Sequence, residues 1–214
     1  NTIGTLNISC TDSAVLNVTD RAYLQNHFLS SSKIDLSGAV FENNETGEEL
    51  FVKHTAMTTV ILPEGLTTIS KKTFYNLSNA LTSITLPSTL TLIDDNAFYR
   101  CFKLQLNTLP DAVETIGNNA FYQCSALSIS KLPSNLKTIG DSTFWQNRML
   151  TISEIPEGVE SIGKLAFEQC DGITSLKLPS TLQTVGEGAF CNCYNLISVE
   201  WPAQLKELPN NVFS

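Results

Sequence analysis

Six cysteines, two histidines and several close-set carboxylates are the residues of this 214-residue chain equipped for chemistry. Each needs a partner at a fixed distance. Cys101, Cys124, Cys170 and Cys193 each stand three residues after a phenylalanine, and Asn147 fills the same place where a fifth would fall. Residues in such a column lie on neighbouring turns of chain with side chains pointing the same way, whereas a disulfide needs a particular Cβ geometry. The column therefore reads as buried free thiols behaving as small apolar residues, with bridges Cys101–Cys124 or Cys170–Cys193 as the competing arrangement. Cys191 directly follows a phenylalanine and is expected nearer the surface; Cys10 has no partner that the sequence identifies. None of these matches zinc-ligand spacing. His27 and His54 adjoin no serine, cysteine or carboxylate in a nucleophile-activating arrangement, so no catalytic residue is assigned and no enzymatic activity is expected. Asp94-Asp95-Asn96 has oxygens for calcium, but Asn118-Asn119 and Asp141-Ser142 fill the same place elsewhere, which makes it a turn. Glu42–Glu49 lacks the ligand order of a calcium loop and reads as a solvated acidic link. No metal or other cofactor is expected.

The columns exist because the chain repeats. Pro63, Pro87, Pro110, Pro133, Pro156, Pro179 and Pro202 are separated once by 24 residues and five times by 23. Eleven residues after each stands Phe74, Phe98, Phe121, Phe144, Phe167, Phe190 or Phe213. Three after is Leu66, Leu90, Val113, Leu136, Val159, Leu182 or Leu205, and six after is Ile69, Ile93, Ile116, Ile139, Ile162, Val185 or Leu208. The residue before each proline and the one six before are also apolar, from Leu62 and Met57 to Trp201 and Leu196. A unit this short cannot bury its apolar face alone, and stacking copies does so.

The resulting pattern, L-x-x-I-x-L-P-x-x-L-x-x-I-G-x-x-A-F-x-x-C, resembles the BspA-like leucine-rich repeats of bacterial and some protist surface proteins over roughly residues 57–214. Ser70, Asp94 and Pro209 depart from its glycine, Asn147 from its cysteine, and one extra residue near Leu77 lengthens the first copy. The expected fold is a repeat solenoid: a leucine-rich-repeat right-handed coil of α/β type with a parallel sheet on one face. Short strands and short helical turns, one at Asn118–Phe121, are expected on the other, with a helical N-terminal cap. Residues 51–214 then form seven repeats of 23–24 residues in one continuous domain, and residues 1–50 the cap. Within the cap a helix is expected over about 19–30, opening at Thr19 or Asp20 and turning Leu24 and Phe28 to one face, followed by a strand over about 33–37 and the acidic loop 42–49.

In each rung, residues such as Leu81–Leu86 add one strand about 4.8 Å from the next, and proline ends it because it cannot donate to a ladder. Three consecutive copies change phase. Their inward residue lies four before proline (Leu106, Ile129, Ile152), where the second, sixth and seventh place it three before (Ile84, Leu176, Val199). A one-residue slip turns side chains to the opposite face, so the middle of the sheet is expected to be locally reshaped, with a bulge before proline.

Two surface columns suit binding. Two residues before proline stand Thr85, Thr108, Lys131, Glu154, Lys177 and Glu200, whose last four alternate in charge and are expected to pair across neighbouring rungs. Directly after phenylalanine stand Tyr75, Tyr99, Tyr122 and Trp145, an aromatic row able to stack on sugars or pack on itself. A formal net charge of −8 with no basic run argues against nucleic acid, and no apolar run is long enough to span a bilayer. Four Asn-x-Ser/Thr sites, at Asn7, Asn17, Asn44 and Asn76, are expected by chance in such a composition. The expected role is a non-enzymatic interaction module, meeting a protein or glycan through one sheet face. The resemblance adds a secreted or cell-surface location, with no signal or anchor visible, and an adhesin-like contact with host or matrix protein. A structural spacer and a glycan binder are the alternatives. The final coil ends in apolar Val212-Phe213 without a polar cap, a surface for end-to-end dimerisation.

Overall fold

The computed structural model describes residues 4–9, 15–205 and 209–213. Cys10, Lys206 and Leu208 lie outside these. Each coil crosses two faces and a turn side. On the first face β1 (Thr5–Ser9), β2 (Lys33–Gly38), β3 (Thr59–Ile61) and β5 (Ser83–Thr85) pair in parallel in that order. Alternation puts Ile34, Val60 and Ile84 in register, side chains inward. On the second face six two-residue strands stack: β4 (Thr68–Ile69), β6 (Leu92–Ile93), β7 (Thr115–Ile116), β8 (Thr138–Ile139), β9 (Ser161–Ile162) and β11 (Thr184–Val185). Each pairs a hydroxyl-bearing or leucine residue with a buried or half-buried branched one. The first face resumes at β10 (Ser175–Lys177) and β12 (Ser198–Glu200).

Between β5 and β10 the first face has no strand, and the phase change explains it. Leu106, Ile129 and Ile152 are buried one residue early, so two exposed residues, not one, precede the buried residue next to proline. The slipped rungs still touch, through the Ser128 N–H to Leu106 O (3.2 Å) and the Thr151 N–H to Ile129 O (3.0 Å). Past those bonds, Asn107–Leu109 and Ser130–Leu132 make no backbone hydrogen bond among the described residues. The rung stretches where a discrete bulge was expected.

The turn side holds hydrogen-bonded turns, where helical turns were expected. Asn96 and Asn119, with Arg100 and Gln123 four residues on, take left-handed backbone at φ between 53° and 58°. This alternation points N–H groups out of the coil: Phe98 N–H donates to Ala120 O (2.8 Å) and Phe121 N–H to Thr143 O (2.9 Å) of the following coil. A helix would have consumed those donors internally. The glycine after isoleucine is fixed by the same close stacking, since a Cβ on Gly117 would lie 2.7 Å from the Asp95 amide nitrogen.

The core is a column of phenylalanines. Phe51, Phe74, Phe98, Phe121, Phe144, Phe167 and Phe190 are buried and, with half-exposed Phe213, stack at centroid distances of 5.0–6.1 Å. Ala97, Ala120, Ala166 and Ala189 beside them are fully buried. Phe51 lies 23 residues before Phe74, so the stacking reaches further toward the N-terminus than the proline count indicated.

The N-terminal segment differs from the helical cover expected there. Helix α1 (Val18–Asn26) is capped by Asn17, whose side chain accepts from the Thr19 and Asp20 amides while Asp20 returns a bond to the Asn17 amide. Asp20 is thus the third helical residue of a capping box, not the cap. The helix ends before Phe28, which has φ 58° and is exposed; Leu24 alone of its residues is buried. Gln25 and Asn26 bind Glu49 O and Lys53 Nζ, so α1 runs beside the Glu49–Lys53 turn, in the position of a preceding coil's turn side. The outermost strand of that end is β1.

Candidate functional site

The cysteine column is built for the interior. Cys101, Cys124, Cys170 and Cys193 are free and buried, and each Sγ donates at 3.0–3.1 Å to the carbonyl of the phenylalanine one coil earlier: Phe74, Phe98, Phe144 and Phe167. Burial pushes the Cys101 thiol up to about 12 and Cys193 to about 11, and raises Cys124 and Cys170 well above their usual value. Thiols held protonated are neither nucleophiles nor ready metal ligands. Asn147 Nδ2 makes the same bond to Phe121 O (2.7 Å), but its Oδ1 is buried without a partner. His54, three after Phe51, belongs to this column too: it is buried, with Nε2 3.2 Å from His27 O. The histidine so placed is structural. Cys191 is half-buried, and burial beside the Glu168 carboxylate raises its thiol.

Asp95, Asn118 and Asp141 form a side-chain ladder along the coils, each accepting from a backbone amide of the next coil, Asn118, Asp141 and Lys164, at 2.7–2.8 Å. Their oxygens close turns. Among the described residues no group of three or more His, Cys, Asp or Glu is placed to hold a metal ion.

Thr85, Thr108, Lys131, Glu154, Lys177 and Glu200 are all exposed in one row on the first face. Opposite charges in this row were expected to pair; among the described residues no ion pair forms within it. Register alone does not force pairing: Glu154 and Lys177 meet through a backbone bridge, and Lys177 and Glu200 stand opposite each other in β10 and β12, yet no ion pair joins either couple. Lys131, Glu154 and Lys177 instead surround a cavity of about 330 Å³ with Ser134 and Glu157. Four residues after proline, by contrast, opposite charges do pair, Lys137 Nζ lying 2.6 Å from Glu114 Oε2.

Tyr75, Tyr99, Tyr122 and Trp145 are half-buried and stacked at 4.9, 4.7 and 4.4 Å with planes within 12° of parallel. Their faces are turned on one another. Only the outer faces of Tyr75 and Trp145 are left by this stack for a planar partner.

One feature went unread in the sequence. The residue after proline alternates: Glu64, Ser88, Asp111, Ser134, Glu157, Ser180. Glu64 accepts from the Ser88 amide and hydroxyl at 2.9–3.2 Å, Glu157 does the same for Ser180, and Asp111 accepts from the Ser134 amide at 3.0 Å. No such bond joins Ser88 to coil three or Ser134 to coil five. Coils are thus clipped in pairs, and the seams between pairs carry the clefts: about 620 Å³ between Ser88 and Asp111, and about 330 Å³ between Ser134 and Glu157. The signal was present as the alternating P-E/D and P-S dipeptides.

At the C-terminal end Phe190, Leu196, Trp201, Phe213 and the exposed Ile197 line a cavity of about 320 Å³.

Comparison with known proteins agrees with this architecture. The BspA type leucine-rich repeat region matches residues 44–153 and 144–214, and the chain belongs to that family. It is similar to the leucine-rich repeat protein TpLRR of T. pallidum, with 26% identity over 78% of each chain and a TM-score of 0.67. A leucine-rich repeat protein of Bacteroides ovatus matches with 22% identity and a TM-score of 0.67, over 93% of this chain and 46% of that one. No curated protein matches the chain.

Proposed function

We propose that this chain is a non-enzymatic binding module of a secreted or cell-surface bacterial protein, taking a macromolecular partner, protein before glycan, on the first face of coils three to five. The observation that carries the reading is the row of Lys131, Glu154 and Lys177: three exposed charges around a cavity, unpaired with one another, where the strand ladder lapses. Charges that neutralise each other have little left for a partner; these have kept theirs, and complementary charge sets both encounter and register. Membership of a family known from bacterial surface proteins supports the location. Among the described residues no helix is long and apolar enough to cross a membrane.

A screen of matrix proteins and glycans tests this reading with two variants. Reversing both Lys131 and Glu154 (K131E, E154K) is expected to abolish binding, while Tyr122→Ala with Trp145→Ala leaves it intact. Loss in the aromatic variant alone would move the site to the stacked row and favour a glycan. Binding untouched by either would overturn both faces, and no binding to any probe would favour a spacer.

A further inference from the structure

The larger seam has a chemistry of its own. Ser83 N–H donates to Thr58 O and Thr85 O accepts from Leu62 N–H, so these residues turn their backbone groups toward β3. In a parallel strand the intervening residues face the other way, which leaves the N–H and C=O of Ile84 and Leu86 on the edge toward coil three. That coil meets the second coil just before β5, through Gln105 N–H to Thr82 O (2.9 Å), and rejoins it at Glu114 N–H to Thr91 O (2.8 Å). Between these points Asn107, Thr108 and Leu109 make no backbone hydrogen bond, and the cleft of about 620 Å³ opens there. Exposed ladder groups are a template for another extended chain.

The charge of the cleft selects among such chains. Glu64 and Asp111 line it and no basic residue does, whereas the second seam mixes Lys131 and Lys177 with Glu154 and Glu157. The two acids are held ready: Asp111 by the Ser134 amide, which keeps its carboxyl below the usual range, and Glu64 by the Ser88 amide and hydroxyl. Each spends its hydrogen bonds toward one neighbour; Lys131 nearby offsets part of the Asp111 charge, whereas no basic residue lines the cleft beside Glu64. No aromatic ring lines the cleft to offer a sugar a stacking surface.

We propose that the seam between coils two and three is a docking site for an extended peptide segment carrying basic side chains, main chain on the Ile84–Leu86 edge and cations toward Glu64 and Asp111. This rests on the first face being the binding face and adds a ligand class and a second position on it.

The test uses the full chain and a blocked hexapeptide of alternating lysine and valine, followed by amide chemical shifts and titration calorimetry. Shifts are expected to concentrate at residues 83–88 and 105–111. A glutamate–valine peptide should not bind. N-methylation of alternate peptide amides should weaken binding about tenfold, the scale of one to two lost hydrogen bonds, and it leaves the protein untouched, so misfolding cannot imitate it. Asp111→Asn with Glu64→Gln should weaken it about tenfold, with a steep salt dependence lost. Shifts elsewhere, equal binding of the acidic peptide, indifference to N-methylation, or a chito-oligosaccharide seated at these residues in preference to the peptide would each overturn the proposal. Reversal of Lys131 and Glu154 should leave the hexapeptide bound even where it abolishes a larger partner, so failure of the face and failure of the seam give different results.

Discussion

The turn side and the first face of this solenoid are built from the same coils and obey different rules. On the turn side the phenylalanine stack, the tyrosine row and the Asp95–Asn118–Asp141 ladder each run unbroken across several coils, and Phe51 joins the stack from a segment with no visible repeat. On the first face the ladder breaks after β5 and resumes only at β10. Coils three to five thus keep one side in strict register while the other drifts by a residue. A nearest-neighbour array can do this because each coil needs only a continuous core to its neighbours. Stability is concentrated where stacking is continuous, and the interrupted side is released to carry clefts and uncompensated charge.

That division has its largest expected consequence at Phe144. The ring is fully buried and stacked on Phe121 at 5.6 Å and on Phe167 at 5.3 Å. Phe144→Ala should cost about 3–5 kcal/mol, and because it cuts the array near its middle, urea unfolding should separate into two transitions. Lys131→Ala, in the same coil but on the interrupted face, should stay within about 0.5 kcal/mol. Similar costs for the two variants would break the distinction between the sides.

The distinction was only half legible in the sequence. The stack could be counted because burial of an identical large ring demands an identical spacing, and the phase slip at Leu106, Ile129 and Ile152 correctly located the disturbed rungs. Three things escaped. Turns replaced helices because a helix and a left-handed turn make similar demands on Asn-x-Ala-Phe, and only the direction of the N–H groups separates them. The helix cap was misread because Asn17 and Asp20 are both good caps, and the reciprocal bond needs coordinates. The row at Lys131, Glu154 and Lys177 showed alternating signs, but backbone adjacency does not fix side-chain pairing, since Lys177 and Glu200 stand in register without an ion pair. Whether that row binds a partner is the proposal put to the test above.

A smaller effect should come from a middle coil, where the continuous side breaks its own rule. In the column after phenylalanine, Asn147 replaces cysteine; it satisfies Phe121 O but leaves Oδ1 buried without a partner. Asn147→Cys supplies the donor used by Cys124 and Cys170 above and below it and removes the orphaned acceptor. An unsatisfied buried polar atom costs about 1–3 kcal/mol, so the variant should gain up to about that amount in stability, read as a higher urea midpoint at unchanged m-value, and move the weak point out of the middle coils. A loss would mean that the Oδ1 has a partner, such as ordered water, and that the column is satisfied throughout.

The smallest and most local effect should come from the same column at its N-terminal end. His54 sits where later coils place cysteine, with Nε2 toward His27 O and its ring edge-on to Phe51 at 5.2 Å. Burial lowers its affinity for a proton below the ordinary value of 6.5, outweighing the backbone carbonyls of His27 and Leu24 that favour the charged ring. The sign follows from which state protonates first. Above 6.5 the ring is neutral whether folded or unfolded, and its full contribution is present. As pH falls below 6.5 the unfolded chain takes up the proton and the folded chain resists, so stability declines until the folded ring protonates as well, after which the loss is complete. The acidic groups with resolved shifts, Asp35 and Asp111, are both lowered from 3.8 and act at lower pH. His54→Leu copies Leu77, the occupant of the same column one coil on, and should flatten this acid limb. Protection factors of the Phe51–Met57 amides should fall on acidification in the natural chain, relative to the variant at the same pH, and amides around Phe121 and Phe144 should show no such difference. A difference spread evenly over all coils would show that the stack transmits a local charge along its whole length, contrary to nearest-neighbour coupling.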